Sequence, residues 1–116
     1  MIQRTNTVNG WRTQHYHQVA NLAKELTIPT TGFLGRTVYN DKSMRVVLLA
    51  FAPLQRLSEQ LTSTPVHFHV FEGEVEVVVG KRTIHMGAGH WVNVPSRHQH
   101  SIYVKRPSKL LMLLAK

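Results

Sequence analysis

EGEVEVVVGKRTIHMGAGHWVNVPSRHQHSIY, residues 72–103, decides the fold. Val75, Val77 and Val79 alternate with Glu74 and Glu76, the period-2 pattern of a strand with one buried face. Gly80-Lys81 turns the chain into a second short apolar run, Thr83 to Met86. Gly87-Ala88-Gly89 turns it again into Trp91 to Val94, which stops at Pro95 because proline cannot donate to a ladder. A histidine-rich segment then leads back into strand, Ser101 to Val104. Short strands joined by tight glycine turns at this spacing predict an antiparallel sandwich or barrel.

Outward from this stretch the pattern continues. Val66, Phe68 and Val70 fall on one face of a strand, and His67, His69 and Phe71 on the other. Arg45 to Ala52 is continuously apolar, as in a strand covered on both sides: the opposite sheet is one cover, a dimer partner the expected other. Thr31 to Tyr39 reads as a strand interrupted by Gly35, and Asn40 to Ser43 as a turn. Leu54 to Pro65 reads as a polar connection after Pro53. The apolar tail, Ser108 to Ala115, reads as a last strand closing the barrel edge. Val19, Leu22, Ala23 and Leu26 lie at helical spacing, so a short helix or turn is expected over residues 18–26, ended by Pro29. Residues 1–30 are thus an arm with a short helical or irregular segment, and 31–116 form one barrel domain.

At 116 residues and 42% hydrophobic content the chain is long and apolar enough for one core without staples. It has no cysteine, so neither disulfides nor thiolate metal sites enter. The longest apolar run cannot cross a bilayer, and the N-terminus lacks a signal-like apolar stretch. A cytoplasmic protein without membrane contact is expected. Fourteen Lys and Arg against six acids give a formal charge of +8. These cations are scattered, with no basic helix stripe and no interleaved stacking aromatics, so a nucleic-acid partner is not expected. No nucleophile elbow, P-loop, GxGxxG or paired acid-base set is present.

The chain resembles the small single-domain cupins. Their second motif spaces a glycine, five residues, a proline, one residue, a glycine, two residues, a histidine, three residues and an asparagine. Gly89, Pro95 and His100 fall in register with it, whereas Arg97 stands at the second glycine and Val104 at the asparagine. VFEGEVEVVVG, Val70 to Gly80, is similar to the family's strand pair, and RVVLLAFAPLQRLSEQLTSTP resembles the segment before it. The likeness runs from about Arg36 to Leu114. It implies a double-stranded β-helix, or jelly-roll barrel, of the RmlC-like type, and a homodimer. In the family, two histidines and a carboxylate or glutamine of the first motif join the second-motif histidine around a metal. Counted back from Gly73, those first-motif places fall on Gln60, Thr62 and Val66, leaving only His100 of the usual set. The resemblance therefore implies an eroded metal site, and by itself no particular chemistry.

Two readings of the histidines compete. In one, the barrel pocket binds a small organic molecule: His100 with His98 beside it, lined by Phe68, Trp91 and Gln60. No cofactor is required. In the other, His67, His69 and His100 hold a divalent Fe, Mn, Ni, Cu or Zn ion in an oxygenase- or isomerase-type enzyme. Parity opposes the second, because placing Phe68 inward sends His67 and His69 outward unless the register slips by one residue. Tyr103, Met112 and Phe51 are further candidate lining residues. His85 and His90 read as surface residues, as do His15 and His17 of the polar terminal segment.

Overall fold

The computed structural model describes residues 18–116. His15, His17 and Trp11 lie outside them. Two antiparallel sheets form the molecule, built from β1 (Phe33–Asn40), β2 (Met44–Phe51), β3 (Gln55–Gln60), β4 (Val66–Glu72), β5 (Glu74–Val79), β6 (Arg82–Gly87), β7 (Trp91–Val94), β8 (His100–Val104) and β9 (Ser108–Ala115). The first sheet has the order β1-β2-β9-β4-β7 and the second β3-β8-β5-β6. The core fills the space between their inner faces: Val47, Leu49 and Phe51 from β2, Val66, Phe68 and Val70 from β4, Val75 and Val77 from β5, Ile102 and Val104 from β8.

The two ends of the sandwich are built differently. At one end all four connections, 52–54, Gly73 alone, 88–90 and 105–107, cross directly between the sheets. Gly73 makes its crossing with φ at 93°, and a Cβ there would fall against Ser108 Oγ and the Pro107 carbonyl. Buried Ser108 completes the corner, donating to the Arg106 carbonyl at 2.8 Å and accepting from the Glu74 N–H at 3.2 Å. At the other end, two hairpin turns stay within their sheets and two longer loops, 61–65 and 95–99, cross between them. The loops meet where the Arg97 N–H donates to the Thr62 carbonyl at 2.8 Å. We call these the tight end and the loop end.

Three sequence expectations are revised. Residues 55–60, read as connection, form β3, which pairs with β8. The tail strand β9 is no edge: it lies between β2 and β4. The helical spacing over residues 18–26 yields a single 3₁₀ turn, Leu22–Lys24, within the short helix or turn expected there. β1 passes Gly35 unbroken and bulges later, between Thr37 and Tyr39.

The two-sided apolarity of β2 has a local explanation. Leu48 and Ala50 face away from the second sheet, yet neither keeps solvent exposure. Arg36, the register partner of Leu48, donates to the Glu25 carbonyl at 2.6 Å, and Lys109, the partner of Ala50, donates to the Ala23 carbonyl. These bonds lay residues 23–25 across the outer face at that point, so the same chain supplies cover there. Among the described residues, no helix is long and apolar enough to cross a membrane.

Candidate functional site

His100 opens β8 at the loop end, directly after the 95–99 loop. It is the cross-strand partner of Val79 on one side and of Gln60 on the other, which turns its ring to the inner face. Only 3% of the residue is exposed. Its ring meets Phe68 edge-on across the sandwich, centroids 5.7 Å apart and planes at 62°. Nδ1 lies 3.2 Å from the His98 carbonyl oxygen. A carbonyl can only accept, so Nδ1 carries the hydrogen of this bond, and the neutral ring then presents a bare lone pair at Nε2. Nε2 has no hydrogen-bond partner among the described residues. A buried acceptor without a donor is costly, and in native proteins it calls for an explanation.

The other expected pocket residues divide. Phe68 is buried against His100. Gln60 sits opposite His100 after a β-bulge but is exposed, and its amide nitrogen donates back to the Ser58 carbonyl at 3.3 Å. His98 supports His100 through its backbone carbonyl, while its own exposed ring bonds the Ser96 carbonyl at 2.9 Å. Trp91 does not line the interior. It pairs with His69 on the outer face, is 59% exposed, and leans against His67 with ring centroids 5.4 Å apart. Tyr103 also faces outward, opposite Glu76 and under the Arg56 guanidinium.

The structure does not bring His67 and His69 to His100. Val66, Phe68 and Val70 on β4 enter the core, so the residues between them take the outer face. There His67 and His69 pair with Leu113 and Leu111 of β9, and the Asn93 amide approaches His67 Nε2 at 3.4 Å. Among the described residues no three His, Asp or Glu side chains are grouped to hold a metal. Among the described residues, one imidazole with a turned-away Gln60 amide falls short of the three or more donors a divalent ion needs, so those residues of the inner face do not fit a metal.

Two features of the loop end escaped the sequence reading. Arg45, taken as the start of a strand, is the register partner of Leu114 and shares the parity of Val47, which puts it on the inner-face side, its Nε donating to Thr37 Oγ1 at 3.1 Å. Parity counted back from Phe51 gives the same placement. Arg97, at the motif's glycine position, holds the glycine conformation, with φ at 62°.

No family model matches this sequence, and no curated protein is similar to it. Solved structures are similar in shape. A conserved protein of unknown function from Streptococcus pyogenes superposes with a TM-score of 0.80 at 16% identity, covering 98% of this chain and 97% of that one. A cupin superfamily protein from Desulfitobacterium hafniense gives 0.80 at 18% identity over 87% and 93%. An RmlC-like cupin from Desulfovibrio desulfuricans gives 0.77 at 21% identity over 86% and 97%. Likeness at such identities speaks for architecture alone, and with the two-sheet topology and the register of Gly89, Pro95 and His100 it agrees on one conclusion: this chain has the cupin fold.

Proposed function

We propose that the chain binds a small organic molecule at the loop end of its barrel, anchored by His100 and bedded on Phe68, without a metal. The observation that carries this reading is the Nε2 of His100, a residue only 3% exposed, which has no hydrogen-bond partner among the described residues while Nδ1 is committed to the His98 carbonyl. A ligand hydroxyl or amine would satisfy it, and the aromatic edge beside it supplies apolar contact. Small-molecule sites elsewhere share this composition, a mostly apolar wall with few placed polar groups.

The test is a thermal-shift screen of small organic compounds on chelator-treated full-length protein, followed by imidazole nitrogen NMR on the hits. Compounds that raise the melting temperature should move the His100 Nε2 resonance and lose their effect in His100→Phe. Binding that appears only after a divalent metal is restored, or hits that leave the His100 ring unchanged, would sink the proposal.

A further inference from the structure

The ion pairs of this molecule avoid its loop end, although Lys24 and Arg56 also stand outside those pairs elsewhere and Lys116 at the loop end donates to Asn40 Oδ1. The five ion pairs among the described residues are Arg36–Glu25, His85–Glu76, Lys105–Glu76, Arg106–Glu74 and Lys109–Glu72. All lie at the tight end or on the outer faces. The loop end carries Lys42 in the first hairpin turn, Arg45 on β2, Lys81 and Arg82 in the second hairpin, Arg97 in the crossing loop, and Lys116. None of these takes part in those pairs. Two acids share the end by position, Asp41 and Glu59. The Asp41 carboxylate is already occupied: it accepts from the Tyr39 hydroxyl at 2.5 Å and from the N–H groups of Ser43 and Met44 at 2.7 and 2.9 Å.

A surplus of like charge is unfavourable to gather on one rim unless something of opposite sign visits it. Arg45 is the cation nearest in register to the inner face, and two strand spacings, about 10 Å, separate its strand from that of Phe68. A small molecule can bridge that span. From these placements we infer that the ligand is a small hydroxylated anion, its carboxylate or phosphate met by Arg45 and the neighbouring cations and a hydroxyl donated to His100 Nε2. This rests on the reading of His100 as a ligand anchor. It adds a charge requirement which that reading does not contain.

Calorimetric titration of the full chain with four probes tests it: gluconate, glucose 6-phosphate, glucose and hexanoate. Gluconate or the sugar phosphate should bind at least about tenfold tighter than glucose, which lacks the charge, and than hexanoate, which lacks the hydroxyls. That preference should weaken as salt rises from about 50 to about 200 mM. Arg45→Met, on an exposed side chain, should erase the preference over glucose, and His100→Gln the preference over hexanoate. Which anion binds tighter separates carboxylate from phosphate as the head group. Glucose binding as tightly as either anion, or neither anion binding, overturns the charge assignment. Failure of the anchor reading looks different: no compound of the broader screen, charged or neutral, then moves the His100 ring.

Discussion

Arg97 holds a left-handed backbone that a β-carbon disfavours by about 1–2 kcal/mol. Glycine would relieve this but add unfolded-chain entropy of about 0.5–1 kcal/mol, so relief wins narrowly. Arg97→Gly should therefore raise stability by about 0.5–1 kcal/mol in urea unfolding. Arg97→Ala, which keeps the β-carbon, should bring no such gain. Asp41 makes a second residue-scale prediction. Hydrogen bonds from the Tyr39 hydroxyl and then the Met44 and Ser43 amides hold its carboxyl below the ordinary carboxylate value. A depressed value in the folded state means stability that is present above the unfolded value and lost as pH falls through the folded one. Asp41→Asn should melt earlier than wild type near neutrality, and the gap should close as pH drops below about 4. A gap that persists at low pH would refute the assignment. At this scale the sequence was legible where a residue type is bound to a conformation or a register. His100 was placed by its spacing from Gly89 and Pro95. The role of Arg97 was hidden, because an arginine gives no sign of a positive φ.

Strand parity decides what the elements present. β4 alternates between the core and the outer face, so two histidines flank a phenylalanine yet stand on the other side of a sheet from it. Phe68→Ala should cost about 3–5 kcal/mol, because it empties a fully buried aromatic site beside His100. His67→Thr with His69→Thr, on the half-buried outer face, should cost about 1 kcal/mol or less and leave ligand affinity unchanged. Comparable losses from both changes in chemical denaturation would mean the register is wrong. β5, β6, β7 and β8 were readable because glycine turns and proline punctuate short apolar runs. β3 was not readable. Among the described side chains of β3, Leu57 alone packs on the core, and an edge strand with a bulge needs no repeated apolar face. Trp91 misled for a related reason: large aromatics suggest a pocket wall, whereas its partner His69 assigns it to the outside.

On the scale of the whole molecule, β9, the last strand in sequence order among the described residues, occupies the middle of the larger sheet. Every residue of β9 faces a partner on β2, and most of them also face one on β4. The tail's unbroken apolarity, legible as strand, follows from this central place: its even positions enter the core, and its odd positions continue the outer face beside His67 and His69. Without residues 108–116 the first sheet would fall into two ribbons, β1-β2 and β4-β7, each too small to persist in water. The same loss removes Leu110 from the core and Ser108 from the Gly73 corner, so the tight end opens as the sheet divides. A chain ending at Pro107 should show no cooperative thermal transition and no dispersed methyl resonances. A native-like spectrum from it would mean that the second sheet and its crossings can organise the barrel without β9. Pairings of such long sequence separation also place this chain among slow folders, milliseconds to seconds, with the first sheet completed only once the C-terminal strand docks. Stopped-flow refolding should thus show Leu110→Ala slowing the folding rate more than it speeds unfolding, as expected of a long-range contact formed in the rate-limiting step.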